Sequence, residues 1–370
     1  MKLGLIGTGF MGKAHALGIA AAEKAFDPPV RFELHAVADA TAPAAEAARA
    51  RLGFARATGD WRDLIDDPDI EVIDIAAPNA LHREMALAAI AAGKHVFCEK
   101  PLAASAADAL EMAEAAQAAG VVTQVGFAYL TNPMVTLARE MIAAGELGEI
   151  RTARFVHAED FMADAAAPFG FRHEAAGGGA LADLGSHALA TAEFLLGPIA
   201  QVMGASATLI AERRDATGRL RAVEADDVAH AFLRFESGAV GALEANWCAT
   251  GRRMQHDFEI HGSRGALFFS QERLNELHFF ATADPPGRRG FRRIEAGPEH
   301  APYAAFCPAP GHQLGFNDLV AIAFARFSDA LAGRAPSPAD FFAGHRVQRL
   351  VETIRASADG GAWAATGAGR

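Results

Sequence analysis

Gly7-Thr8-Gly9-Phe10-Met11-Gly12 lies between an apolar run at residues 2–6 and a helical stretch reaching about Lys24. A G-x-G-x-x-G hexapeptide between a strand and a helix leaves few folds open. Gly7 permits the tight turn, Gly9 lets a pyrophosphate approach the backbone, and Gly12 lets helix and strand pack closely. The helix N-terminus then turns free N–H groups and the positive end of its dipole toward the phosphates. The stretch reads as the first βαβ unit of a dinucleotide-binding sheet, with Gly7, Thr8, Gly9, Phe10, Met11 and Gly12 against the cofactor.

The following residues extend that sheet. A second strand, Phe32 to Val37, ends in Ala38-Asp39. An acidic residue there accepts hydrogen bonds from the adenosine ribose and repels a 2′-phosphate, which favours NAD over NADP. The alternative for Asp39 is an N-cap of the next helix. A third strand, Glu71 to Ala76, leads through Ala77-Pro78-Asn79 into a helix from Ala80 to Ala92. Asn79 is well placed as its N-cap. The same turn belongs over the nicotinamide half of the cofactor, with His82 nearby. A fourth strand, His95 to Cys98, ends in Glu99-Lys100-Pro101. An open parallel sheet presents chemistry to its ligand at such strand ends, although a Lys-Pro pair in a solvated turn has the same local sequence. Ser105 opens a further helix that ends at Gly120, and Val121 to Val125 forms a last strand. Strands alternating with helices over this length predict a doubly wound parallel sheet in a domain spanning 1–125.

From Gly126 the pattern changes. After a helix that starts at Asn132-Pro133, alternating runs follow at Ile150–Glu159, Asp227–Phe235 and Ala239–Trp247, with shorter ones at Phe258–His261 and Ala266–Phe269. They predict an α+β domain, 126–370, with a large open, mainly antiparallel sheet. Its uncovered face predicts a homodimer or homotetramer. Residues 281–311, rich in Pro, Gly and Arg, read as a surface loop, and Arg288, Arg289, Arg292 and Arg293 as a solvated basic turn. Helices close the chain around Asp318–Ala332 and Phe341–Ser357.

Gly177-Gly178-Gly179 opens a helix from about Ala180 to Leu196, in which Asp183 and His187 are four residues apart. That spacing places them on one face. A carboxylate beside an imidazole orients the ring and raises its basicity, as a general base requires, while a salt-bridged pair is the structural alternative. No clustered His/Cys set supplies further ligands, so no metal is expected.

With 370 residues two domains are natural, and the formal charge of −11 argues against a nucleic-acid or anionic-membrane partner. Cys98, Cys248 and Cys307 are odd in number and widely spaced, as expected for reduced thiols. The first residues enter a strand at once, and no apolar run approaches the roughly 18 residues of a membrane helix. A cytoplasmic protein is expected. All five lysines fall within the first 100 residues of an otherwise arginine-using chain, which singles out Lys100 weakly.

G-T-G-F-M-G-K-A-H at 7–15, A-P-N-A-L-H at 77–82, E-K-P at 99–101 and G-G-G-A-L-A-D-L-G-S-H at 177–187 occur in that order. Together they resemble the Gfo/Idh/MocA oxidoreductases, the family of glucose–fructose oxidoreductase and inositol 2-dehydrogenase. The resemblance spans essentially the whole chain. It implies a Rossmann domain, an α+β domain whose sheet mediates oligomers, and an NAD-dependent dehydrogenase acting on a sugar, cyclitol or related polyol. It also implies that Lys100, Asp183 and His187 contact substrate and carry catalysis, with a Lys100–Pro101 bond that is commonly cis in the family. Many members carry an asparagine–arginine pair after the position of Phe127, where this chain has Ala128-Tyr129. Tyr129 and Arg172 thus become candidate substrate contacts, with His157, Trp247 and His312 weaker ones. Two other readings stay open: a glycoside-cleaving enzyme that uses transient oxidation, and a non-enzymatic sensor on the same fold.

Overall fold

Two compact units make up the chain, Met1–Thr131 with Gly315–Gln348 and Asn132–Leu314 with Arg349–Arg370. The computed structural model describes residues 1–174 and 178–367.

In the first unit, β1 (Lys2–Ile6), β2 (Glu33–Ala38), β3 (Arg56–Thr58), β4 (Ile70–Ile75), β5 (His95–Cys98) and β6 (Thr123–Val125) form one sheet in the order β3-β2-β1-β4-β5-β6. Every pairing is parallel. Helices α1 (Phe10–Phe26), α2 (Ala42–Leu52), α3 (Arg62–Asp66), α4 (His82–Ala91) and α5 (Ala106–Ala119) connect the strands. Val96, Phe97 and Cys98 are all buried, as strands covered on both faces require. Two helix starts follow simple capping chemistry. Thr41 accepts the Ala44 N–H at 3.3 Å and Ser105 the Asp108 N–H at 3.1 Å. Thr41, not Asp39, therefore caps α2. Nor does Asn79 cap α4: it starts a 3₁₀ turn, Asn79–Leu81, and α4 opens with no side-chain cap.

The first unit differs from the linear reading in extent. It runs to Thr131 and takes back residues 315–348, which the sequence pattern groups with the second domain. The helix Phe316–Leu331 is apolar nearly all round, so both its sides need cover. It packs on α1, where a side chain at Gly18 would meet Val320 Cγ1 at 2.7 Å. Phe324 stacks on Phe97 at 4.5 Å, and Phe327 on Phe32 at 5.9 Å. The returning segment also serves the edge strand, since the Val125 N–H donates to the Ala339 carbonyl at 2.7 Å.

The second unit holds α6 (Pro133–Ala143), capped by Asn132 through the Met134 N–H at 2.8 Å, and α7 (Ser186–Leu196). Its strands are β7 (Ile150–Ala158), β8 (Ile199–Ala207), β9 (Glu212–Arg214), β10 (Leu220–Ala222), β11 (Val228–Phe235), β12 (Val240–Asn246), β13 (Gln255–Gly262), β14 (Gly265–Ser270), β15 (Glu276–Ala281), β16 (Arg292–Glu295) and β17 (Ala364–Ala365). Nine of them form a sheet in the order β16-β15-β14-β13-β7-β12-β11-β8-β17, and β9 pairs with β10 apart from it. Among the described residues only β7 and β12 pair in parallel within that sheet. Along β11 the odd residues Ala229 to Phe235 are buried, while His230, Phe232 and Arg234 face outward. The expected 281–311 loop is partly structured: β16 extends the sheet and Tyr303 is fully buried. Two of its arginines are ion-paired, Arg292 with Asp284 at 3.4 Å and Arg293 with Glu276 at 3.6 Å.

Candidate active site

In the first unit the glycine-rich turn is built as its chemistry demands. Gly7 has φ +94°, and a side chain there or at Gly12 would strike the backbone of Ala76 or Gly7. A side chain built at Gly9 would meet no described atom within 4 Å, so there is open space beside the turn at that point. The α1 helix starts at Phe10 with no acidic residue in its first turn, which suits a phosphate. Half-buried Asp39 accepts the Thr8 N–H at 2.9 Å, the Thr8 hydroxyl, and the Ala40 N–H at 2.7 Å. These bonds use three of about four acceptor positions on the carboxylate, leaving capacity for a ribose hydroxyl. Asp39 thereby ties the tip of β2 to the glycine-rich turn.

The Lys100 turn is held from both sides. The Lys100–Pro101 bond is cis, and Lys100 is half-buried. The Lys100 N–H donates to Glu99 Oε2 at 3.2 Å. His82 Nδ1 lies 3.0 Å from the Pro101 carbonyl, and its Nε2 lies 2.9 Å from the Ala77 carbonyl. Burial pushes the His82 imidazole below its usual pKa against the pull of those carbonyls, so a neutral ring donates to one of them at a time. His82 and Glu99, expected against the cofactor, are both buried, and each has its side-chain polar atoms engaged within the unit. They hold the Ala77-Pro78-Asn79 and Glu99-Lys100-Pro101 turns in place. Tyr129 is buried in a 3₁₀ turn, Ala128–Thr131, with its ring 6.4 Å from Phe316.

Behind these turns lies a group that sequence reasoning missed. His15 on α1 is 1% exposed and lies between two buried carboxylates. Its Nδ1 is 2.9 Å from Asp74 Oδ1 and its Nε2 is 3.1 Å from Glu99 Oε1. Burial alone would lower the pKa of the ring, but Asp74 and then Glu99 outweigh it and hold the imidazolium up to about 10.

The second unit carries Asp183 and His187, both buried. The expected continuous helix opens instead with a π-helical turn, Leu181–Gly185, that contains Asp183, and α7 begins at Ser186. Such turns are frequent at functional sites. Asp183 Oδ2 accepts the Arg172 Nε–H at 2.8 Å, and the Arg172 guanidinium lies 4.8 Å over Phe171. Arg172, read as a substrate contact, is thus also the ion-pair partner of Asp183. The glycines before this helix accommodate protein. At Gly179, φ is +63° and a side chain would run into Asp226, whose Oδ2 accepts the Leu181 N–H at 2.7 Å. Gly177 lies outside the described residues.

His187 has two histidine neighbours, with ring centroids 5.4 Å away at His157 and 6.2 Å away at His256. His157 and His256 are cross-strand partners on β7 and β13, their rings 4.8 Å apart. His157 Nε2 meets Glu159 Oε1 at 3.1 Å, and His256 Nε2 meets the Thr191 hydroxyl at 3.0 Å. Burial, and then His157, hold His256 well below its usual pKa, so it is neutral. Among the described residues, the one group with three metal-type donor atoms in close reach is His35, Asp67 and Asp69, where Arg56 pairs with Asp67 and Lys2 with Asp69.

Comparison with known proteins now decides the family. Residues 1–127 match the model described as oxidoreductase family, NAD-binding Rossmann fold, and residues 135–268 match the GFO/IDH/MocA C-terminal domain. Levoglucosan dehydrogenase of Pseudarthrobacter phenanthrenivorans is 39% identical, over 98% of this chain and 97% of its own. The chain belongs to the Gfo/Idh/MocA family. Another relative is the myo-inositol 2-dehydrogenase of Thermotoga maritima, 27% identical over 80% of this chain and 81% of its own. A solved levoglucosan dehydrogenase in complex with NADH and L-sorbose superposes with a TM-score of 0.96 at 37% identity, covering 99% of this chain and 98% of that one. This Gfo/Idh/MocA member is an NAD-dependent oxidoreductase whose first unit is the family's NAD-binding Rossmann fold.

Two of its weaker candidate residues differ in their surroundings. Trp247 is fully buried, and its indole N–H donates to Asp227 Oδ1 at 2.6 Å. His312 is exposed, and its backbone carbonyl accepts the Tyr303 hydroxyl. Among the described residues no helix is long and apolar enough to cross a membrane.

Proposed function

We propose that the protein oxidises a secondary hydroxyl of a sugar, anhydrosugar or polyol with NAD, or runs the reverse reduction. The observation that carries this reading is the end-to-end likeness to levoglucosan dehydrogenase, solved also in complex with NADH and levoglucosan at a TM-score of 0.95. NAD, when bound, accepts the hydride. The Asp39 carboxylate, with acceptor capacity left, takes a ribose hydroxyl, and the open space beside Gly9 takes the pyrophosphate. His187 removes the hydroxyl proton, and Asp183, itself paired with Arg172, keeps the imidazole oriented and basic. Lys100 donates a hydrogen bond to the reacting oxygen and offsets the negative charge that grows on it. The hydroxyl carbon loses its hydride and becomes a ketone, and the proton resides on His187.

The test is a panel of levoglucosan, L-sorbose and myo-inositol offered with NAD and with NADP, following the absorbance of the reduced cofactor. NADH should accumulate with at least one of them, levoglucosan first, and NAD should outperform NADP. Sugar cleavage without free NADH would favour the transient-oxidation chemistry instead. No turnover with any sugar or polyol would leave the sensor reading.

A second copy of the chain covers the outer face of the nine-stranded sheet in this proposal. Phe232 is 61% exposed there, beside Val240 and Trp363, the latter stacked 4.2 Å beneath Arg234. Such exposed aromatic residues together on one sheet face are a common mark of an interface. Light scattering should report a dimer or tetramer, and Phe232→Asp should shift it toward monomer. A wild-type monomer at micromolar concentration would rule the interface out.

A further inference from the structure

The Asp74–His15–Glu99 group has no part in the chemistry proposed above, yet it is an expensive thing to bury. Its three members come from α1, the end of β4 and the residue after β5, and the His15 ring is walled edge-on by Phe97 at 5.2 Å and Phe324 at 5.3 Å. A neutral imidazole has one N–H, whereas a carboxyl group faces each nitrogen here, so a cationic ring serves both, in line with the His15 pKa held up by Asp74 and Glu99. Burial pushes the Asp74 carboxyl above its usual range against the pull of His15. Apolar side chains of the same volume would fill the space at lower cost.

What Glu99 touches gives the group a purpose. One of its oxygens faces His15, and the other accepts the Lys100 backbone N–H at 3.2 Å. Its carboxylate also lies so close to Gly126 that no side chain fits there. Glu99 is thus wedged between a fixed cation and the turn that carries Lys100. The cation sits just past Gly12 on the helix that opens at the glycine-rich turn.

We propose that His15 and Asp74 are positioning residues for hydride transfer: they fix Glu99 and, through its bond to the Lys100 N–H, hold the catalytic lysine's turn in register with the nucleotide-binding helix. The proposal rests on the role given to Lys100.

The test uses full-length His15→Gln, Glu99→Gln and the double variant, with levoglucosan and NAD, beside Lys100→Met. NADH binding is followed by fluorescence, a readout that needs no sugar. Each single variant should lose about 10–100-fold in kcat, as small misplacements of reacting groups do, with NADH affinity and the sugar KM nearly unchanged. The double variant, with a neutral amide pair in place of the ion pair, should be no slower than the slower single variant. Multiplying losses in the double variant, or equal losses of kcat and NADH affinity, would overturn the clamp. Should His15→Gln not fold, Glu99→Gln decides alone, because it leaves the His15–Asp74 pair in place: unchanged kcat overturns the proposal, and lost kcat with NADH affinity kept supports it. A Lys100→Met variant that keeps turnover overturns the reading of Lys100 and the clamp with it. An inactive Lys100→Met beside a fully active His15→Gln overturns the clamp alone.

Discussion

Lys100→Met should lower turnover by about 10²–10³-fold, the usual loss when one preorganised donor to a developing oxyanion is removed. Methionine keeps the length and apolar character of the lysine stem and removes only the ammonium. The turn itself should survive, because its supports do not use that ammonium. Glu99 holds the backbone N–H of residue 100, and His82 lies 3.0 Å from the Pro101 carbonyl. NADH binding, measured by fluorescence titration, should therefore stay close to wild type while turnover collapses. Near-normal turnover would remove Lys100 from the mechanism.

The second large effect concerns stability and pH. Folding raises the His15 pKa from 6.5 to about 10. Below pH 6.5 both the folded and unfolded chains carry the proton, and the stabilisation is complete. Between the two values the folded protein holds a proton that the unfolded chain has released, so stability falls as pH rises and the contribution is gone above about 10. The whole contribution is on the order of 5 kcal/mol. The groups facing the ring are Asp74, whose carboxyl burial pushes up against the pull of His15, and Glu99, with the Cys98 thiol nearby pushed well up by burial and these two neighbours. The gap in urea stability between wild type and His15→Gln should narrow steadily from pH 6.5 to 10. A gap that does not change with pH would mean the ring is not charged.

Elements whose causes are local are legible in the sequence. The glycine-rich turn at 7–12, the Ser105 cap and the strand ending at Cys98 each depend on a few adjacent residues. Where two neighbouring residues compete for one role the reading was less secure: Thr41 took the cap that Asp39 could have taken, and Asp39 was free to grip Thr8. Groups made by pairing were illegible. Asp74 and Glu99 are 59 and 84 residues from His15, and they meet it only because β4 and β5 lie side by side in the sheet. His256 had no signal of its own and joins His187 only through its register with His157 on β7. The π-helical turn around Asp183 has the same apolar spacing as an ordinary helix. The segment 315–348 looked like the end of the second domain because nothing in its amphipathicity names the surface it covers.

That discontinuity has a consequence for how the protein is made. Ribosomes deliver Met1–Thr131 first, with the phenylalanine-lined side of its sheet bare and β6 lacking its backbone partner at Ala339. The covering helix arrives only after all of Asn132–Leu314 has emerged. Through that interval the nascent first unit exposes an apolar face and an open strand edge, the features that recruit chaperones and seed misassembly. The unit that binds the nucleotide is therefore completed only after most of the second unit has emerged.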